Sequence, residues 1–398
     1  MYIYSFVALL MFVILVVAGI RTGGKIIMWF PLGGDFDVIE ADYWRHIVYA
    51  SDLKNIYFNT NDAPFLPFAY IFYHLLYLIN PFEAPIEFRS YVIAMNQTFN
   101  RLIYVLLMCF KTILFYKAFE KLLSKRFNKN AILLFTSMIL VSIPVLFGAI
   151  EDGNSVFLVY SLLLLAVYYR DSENKYHKEL ALILIAVCAA VKVYPAIMGL
   201  LYIKEKRYKE AVRLIIYGAI LVFGPFAFTG GVKGFVQYLT VLKGLQDLTF
   251  PRFTCISSMM FAIVDTFFPS IEKTRIIPLN LILQNTYLLL NVVSFFKCKN
   301  KTLSYIFLCG VLAIYVPESY RYTAGYMAVP FILLLLQEKF RKIDYVYFGL
   351  FVMIFIIPVY LYYINISVVD FFIYLPIYVM NFIAYFDTWI KSDKKLDL

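Results

Sequence analysis

Charge and histidine are what this chain has little of. Only 16% of its 398 residues are charged, against roughly 25% in soluble domains, which excludes an ordinary water-soluble globule. With 62% hydrophobic residues and a mean hydropathy of +0.76, it reads as a polytopic membrane protein. Its three histidines, His46, His74 and His177, argue against a histidine-based metal centre or a Ser-His-Asp hydrolase and leave carboxylate as the available base. The five cysteines, Cys109, Cys188, Cys255, Cys298 and Cys309, are scattered and mostly within apolar segments. They form neither a disulfide framework nor a metal pattern. No basic segment precedes the first apolar run and no small-residue cleavage site follows it, so it is expected to be a retained span and not a signal peptide.

What is abundant is aromatic: 34 Tyr and 39 Phe. Such a load suits interfacial belts, helix packing and sugar-stacking walls, and AT-rich coding supplies the same residues without any function. The net charge of +10 gathers in the tracts Lys121 to Lys129, Lys204 to Lys209, Lys297 to Lys301, Glu338 to Lys342 and Lys391 to Lys395. These are positive-inside loops. No Arg/Lys stripe with interleaved aromatics lies outside the membrane, so nucleic acid is not an expected partner.

At about 20 residues per crossing, the apolar runs are Ile3 to Ile20, Phe99 to Phe119, Ala131 to Ile150, Ser155 to Tyr169, Ala211 to Thr229, Ile277 to Phe296, Leu303 to Val316, Thr323 to Leu336, Val346 to Ile364 and Val368 to Trp389. Several are short. Pro64 to Ile79, Leu180 to Val191, Ala196 to Ile203 and Phe253 to Phe268 are ambiguous. Crossings between two basic tracts are even in number, so the stretch between His177-Lys178 and Lys204 reads as a hairpin turning at Lys192-Val193-Tyr194-Pro195. Phe253 to Phe268 reads as a re-entrant or interfacial helix, and Pro64 with Pro67 makes Pro64 to Ile79 a partial one. The expectation is an all-α transmembrane bundle of about 12 crossings, built as a single unit with both termini cytoplasmic. Residues 21–98 then form a first outer loop with amphipathic and partial helices, and residues 230–276 a second. Arg21 and Lys25 run against the charge rule there, so the first span takes its orientation from the downstream loops.

Chemistry concentrates in the outer loops. Asp35-Phe36-Asp37 places two carboxylates two residues apart, pointing the same way in extended backbone and able to grip a cation or flank a hydroxyl. Solvated loop carboxylates near lipid headgroups would look the same. Asp42, Trp44, Arg45 and His46 follow in a stretch that reads as an amphipathic helix lying on the membrane, anchored by Trp44. Lys192 stands in an apolar stretch, as a cation held for a phosphate or as a snorkelling side chain. Glu318 and Arg321, spaced i, i+3, either pair with each other or leave Arg321, with Arg252, to bind the phosphate of a lipid-linked donor.

Taken in order, Asp35-Phe36-Asp37-Val38-Ile39, then Tyr57 and Ala63-Pro64-Phe65-Leu66-Pro67, then Gly153-Asn154-Ser155 and Lys192-Val193-Tyr194-Pro195, the motifs resemble those of the GT-C class of polytopic glycosyltransferases. The likeness is to glycosyltransferase family 87, which includes phosphatidylinositol-mannoside mannosyltransferases, and to the GPI mannosyltransferase I family. It covers roughly residues 1 to 230, and the rest mainly by topology. Ile39, Leu66-Pro67 and Glu318-Ser319-Tyr320-Arg321 depart from the family 87 pattern and bear on sugar and acceptor specificity. The resemblance implies transfer of a hexose such as mannose, with inversion, from a polyprenyl-phosphate donor to a lipid-linked or glycan acceptor on the outer face. Asp35 would be the general base and Asp37 its support. Asn154, Lys192, Tyr194, Arg252, Glu318, Arg321, Tyr322 and His46 are the expected substrate-binding residues. Metal use varies within the class, which leaves Mg or Mn open, with Asp35 and Asp37 as its ligands. A lipid-linked oligosaccharide flippase and a polysaccharide polymerase are the competing readings; a transporter would more often show internal repeats and midplane charges.

Overall fold

The structure, a computed structural model, describes residues 41–60, 63–81, 98–150, 153–245, 255–315, 321–356 and 366–390, all helix, turn or loop. Helix α1 (Ala41–Ala50) carries Asp42 in its first turn, where the helix dipole favours a carboxylate. Helix α2 (Pro67–Ile79) opens on a proline after the extended Leu66, a position where a missing N–H costs nothing. The long α3 (Thr98–Leu123) ends in the Lys121 tract, and Asn128 caps α4 (Lys129–Leu140) by accepting from the Ala131 N–H at 2.9 Å. After a break at Ser142 and Pro144, the chain widens into a stretch of π-helix, Leu146–Ile150.

A short turn joins α5 (Val156–Arg170) to α6 (Lys175–Val191), and the 3-10 segment Tyr194–Gly199 with one α turn, Leu200–Lys204, leads to α7 (Tyr208–Phe223). Next come α8 (Gly231–Leu245), α9 (Ile256–Phe267), α10 (Ile277–Lys297) and α11 (Lys301–Gly310), the last widening into a π-helix at Val311–Tyr315. The 3-10 segment Arg321–Met327 runs into α12 (Ala328–Leu335), and α13 (Lys342–Ile356) and α14 (Ile366–Trp389) complete the set.

The described residues form two compact units, each drawn from separate stretches: an early unit from within 28–122 and 149–246, and a late unit from within 123–148 and 247–398. In the early unit α5, α6 and α7 pack side by side, and α1 lies on α2 over an aromatic core that includes Tyr43, Trp44, Tyr57, Tyr70, Tyr73 and Tyr104. In the late unit α10, α11, α13 and α14 pack together. There Gly148 lets two backbones meet, since a Cβ on it would lie 2.6 Å from the Tyr322 nitrogen.

Each unit gathers its basic tracts at one end. In the early unit the buried Arg170 pairs with Asp171 at 3.0 Å and Glu205 at 2.7 Å, Arg207 joins Glu210 at 3.2 Å, and Arg213 pairs with Glu179. The segments 170–179 and 205–213 therefore share an end, as a hairpin between them requires. In the late unit Arg341 holds Asp344 at 2.8 Å and Asp387 at 2.9 Å, Lys297 lies 3.9 Å over the Trp389 ring, and Arg126 donates to the Gln337 carbonyl.

Elsewhere the outer faces are apolar. Leu102, Leu106, Phe110 and Ile113 on α3, Ile215, Ile216 and Ile220 on α7, and Ile282 and Leu289 on α10 are all exposed, and apolar faces of this extent need lipid to cover them. Three stretches are long and apolar enough to cross a membrane, Phe99–Leu123, Tyr208–Phe228 and Ile277–Lys297, or four if the bent pair Lys129–Leu140 and Ile143–Ile150 is one span. Shorter apolar helices, Pro67–Ile79, Val156–Arg170, Lys301–Tyr315 and Arg321–Leu335, cover further runs. Helix length alone does not reproduce the crossing count read from charge parity. The short lengths of Pro67–Ile79 and Ile256–Phe267 agree with the partial helices expected there.

Candidate functional site

Helix α1 corrects one expectation. Trp44 does not anchor it to a membrane surface: it is 1% exposed, with its ring 4.7 Å from Tyr43 and 6.0 Å from Tyr104. Ile47, Val48 and Tyr49 are buried as well, so this helix is wrapped by protein. Its polar residues are therefore inside the early unit. Asp42 and His46, four residues apart, fall on one face.

The Gly153-Asn154 step meets that face. Gly153 takes a left-handed φ of +66°, and a Cβ there would lie 2.6 Å from the Tyr43 Cβ and 3.1 Å from the Tyr104 ring. Only glycine lets α1 come this close. Tyr104 fixes the same turn by donating from Oη to the Ile150 carbonyl at 3.0 Å. Asn154 then donates from Nδ2 to Asp42 Oδ2 at 2.8 Å, while its Oδ1 accepts from the Val156 N–H at 2.9 Å and so caps α5. The two bonds fix which way round the amide stands, because a carboxylate accepts only and a backbone N–H donates only.

Lys192 arrives from α6. Its backbone N–H donates to the Cys188 carbonyl at 2.9 Å, its own backbone is extended, and its Nζ lies 4.0 Å from the Phe65 ring centroid. Phe65 is held from behind by Tyr57, whose Oη donates to the Phe65 carbonyl at 2.8 Å, and its ring lies 4.1 Å from His46. Burial pushes the Lys192 ammonium down to about 8, with the Asp42 carboxylate pulling the other way. His46 meets Tyr70 Oη at 3.3 Å. Burial, then Lys192 and Arg45, hold it well below the usual histidine range, so it is neutral. His74 pins the assembly from outside. It meets the Ala50 carbonyl at 2.6 Å through Nδ1, which is therefore the protonated nitrogen.

One carboxylate, one buried ammonium, one neutral imidazole and an oriented amide thus stand together, walled by Tyr43, Phe65, Tyr70 and Tyr73. Such a set can hold an anionic group on the ammonium and hydroxyls on the amide and imidazole, with ring faces for a sugar. Of the residues expected from sequence, Asn154, Lys192 and His46 gather here. Tyr194 is half-buried two residues after Lys192, on the 3-10 segment. Arg321 and Tyr322 open the 3-10 segment of the late unit. Asp35, Asp37, Arg252 and Glu318 lie outside the described residues. In the sequence Asp42 shows only as part of an amphipathic stretch. Its spacing of four from His46 was the signal that it belongs with the site. Among the described residues no group of three or more His, Cys, Asp and Glu side chains stands together to hold a metal ion.

Exposed apolar helices around a buried charged cluster fit a membrane protein. The model of glycosyltransferase family 87 matches residues 91–316, more than half of the chain, and the chain belongs to that family. It is a glycosyltransferase. No curated protein and no solved structure matches it.

Proposed function

We propose that the chain is an inverting GT-C transferase that moves a hexose, mannose in the first instance, from a polyprenyl-phosphate donor to a lipid-linked or glycan acceptor. The reaction takes place on the outer face of a bacterial cytoplasmic membrane, within a single transmembrane unit whose termini are both cytoplasmic. The observation that carries the reading is the buried Lys192 ammonium beside the Asp42–Asn154 pair. A polyprenyl phosphate gains charge as it leaves, and in a site of low dielectric that charge needs a preorganised cation.

In this reading Asp35 takes the proton of the acceptor hydroxyl and Asp37 supports it. The acceptor oxygen attacks the anomeric carbon, the bond from that carbon to the phosphate oxygen breaks, and the phosphate leaves with the electron pair onto Lys192. Asp42 balances Lys192 between turnovers and keeps the Asn154 amide aimed. Tyr194, His46 and Tyr322 contact the sugar, and Arg252, Glu318 and Arg321 complete the phosphate and acceptor contacts. A Mg or Mn ion, where one takes part, would fall to Asp35 and Asp37.

The test is a donor panel. Protein in lipid nanodiscs should transfer mannose from polyprenyl-phosphate mannose and not from a nucleotide sugar, and Asp35→Asn should abolish transfer while leaving donor binding intact. Transfer from the nucleotide sugar alone sinks the donor assignment, and full activity of Asp35→Asn sinks the base.

A further inference from the structure

The late unit carries a row of buried polar side chains that the proposed reaction does not use. Along α10, Gln284, Tyr287, Asn291 and Ser294 recur at spacings of three and four and so share a face. On α14, which packs against α10, Tyr378, Tyr385 and Trp389 meet this face, and Asn381 lies with its amide against Gly310 at the end of α11. Towards the Lys297 end the rows satisfy each other: Asn291 Nδ2 donates to Tyr385 Oη at 2.7 Å, and Trp389 Nε1 donates to Ser294 Oγ at 2.9 Å.

Towards the other end they do not. Gln284 Nε2, Tyr378 Oη and Asn381 Oδ1 are buried without a hydrogen-bond partner among the described residues, while the Tyr287 hydroxyl lies against the Asn291 amide. Tyr287 interacts with Tyr378 and Tyr385, which makes this end a cluster and not a scatter. Pro376 lies inside α14 close by, where it cannot donate the helix bond that any other residue would make. An unpaired amide or hydroxyl in a dry interior costs about 1–3 kcal/mol, so the protein alone bears a standing penalty here.

We propose that this end of α10 and α14 is a second binding site, for an uncharged polyhydroxyl group, namely a sugar ring of a glycolipid whose tail lies in the bilayer. Amide N–H and carbonyl groups with phenol hydroxyls match sugar hydroxyls, which both donate and accept, and the tyrosine rings offer stacking faces. Among the described residues no charged side chain acts on Tyr287 or Tyr378, so a neutral ligand suits this end better than a phosphate. Gln284 lies about 20 Å along the helix axis from Lys297, well away from the basic end. The proposal is independent of the donor and of Lys192; it takes only the choice of a sugar from the family.

The test uses full-length protein in nanodiscs, photolabelled with a diazirine-bearing octyl glucoside at concentrations that leave the discs intact. Label is expected in peptides from 277–297 and 366–389, competed by octyl glucoside and not by octyl phosphate, and at least fivefold weaker in Gln284→Leu and Tyr378→Phe. Both variants should melt no lower than the parent, because each removes an unpaired polar atom. Lys192→Met should leave the label unchanged, which separates failure here from failure of the reaction proposed above. Unchanged labelling of Gln284→Leu and Tyr378→Phe, or label spread over lipid-facing helices such as 208–223, overturns the proposal. So does a lowered melting temperature in both variants, which would make the row adhesive between helices.

Discussion

Two clusters, one in each unit, bury polar groups in different ways. In the early unit the cluster around Lys192 is charged, and the Asp42–Asn154 bond holds a carboxylate within the influence of Lys192, with a left-handed glycine bringing α1 close enough to make it. In the late unit, the cluster on α10 and α14 away from the basic end is of neutral amides and phenols, with Gln284 and Tyr378 left unpaired among the described residues. The difference follows from energetics. A buried charge without compensation costs several kcal/mol and loses its ionisation, whereas a neutral amide costs about 1–3. At the Lys192 cluster the charge is met by a built backbone, whereas the neutral cluster is left partly unmet.

The comparison breaks first at Asp42. Asp42→Ala should lower the transfer rate about a hundredfold, as loss of an electrostatic partner in a preorganised site does. The double exchange of Asp42→Asn with Asn154→Asp should regain much of that loss, because it keeps both the 2.8 Å bond and the cap on Val156. If the exchange is no better than the single change, the pair is not acting as a unit. Next comes Gly153→Ala, expected to destabilise by about 2 kcal/mol through left-handed strain and the clash with Tyr43. Thermal unfolding in detergent checks this, and an unshifted transition would remove the glycine from the account.

Acidification sharpens the contrast. His46 is neutral when folded and has its ordinary value of 6.5 when unfolded, so below that pH the unfolded chain binds the extra proton. Stability should be flat above pH 6.5 and should fall on acidification by up to about 1.4 kcal/mol per pH unit. His46→Gln should flatten the acid limb, and an unchanged limb would show that another group sets it. The smallest effect is expected at Lys111, which is 2% exposed on the long helix α3 and has no hydrogen-bond or ion-pair partner among the described residues. Lys111→Met should stabilise by about 1 kcal/mol, since a lone buried cation is unfavourable where a charge is not compensated. A lowered melting temperature would place an unseen partner beside it.

Much of this was legible in the sequence for definite reasons. Pro67 and the Lys192-Val193-Tyr194-Pro195 turn are backbone signals, and the helix starts and stops they imply are where the chain puts them. Gly153-Asn154 was visible as a step, though only the structure shows that the glycine admits Tyr43 and that the asparagine both caps α5 and meets Asp42. Trp44 misled because an amphipathic pattern looks the same whether lipid or protein covers the apolar side. The polar row on α10 was hidden in an apolar run, since hydropathy averages over a window and dilutes four side chains on one face. The 3-10 and π stretches at Arg321–Met327 and Val311–Tyr315 have no mark in the composition.

The central claim is that the buried ammonium of Lys192 receives the phosphate charge, and the pH dependence of transfer from a polyprenyl-phosphate sugar tests it most directly. With the ammonium titrating at about 8, kcat/KM should fall as the pH rises through that value, Lys192→Arg should carry activity to higher pH, and Lys192→Met should be inactive at every pH although folded. A Lys192→Met protein with the parent's rate and the parent's alkaline limb would contradict the account.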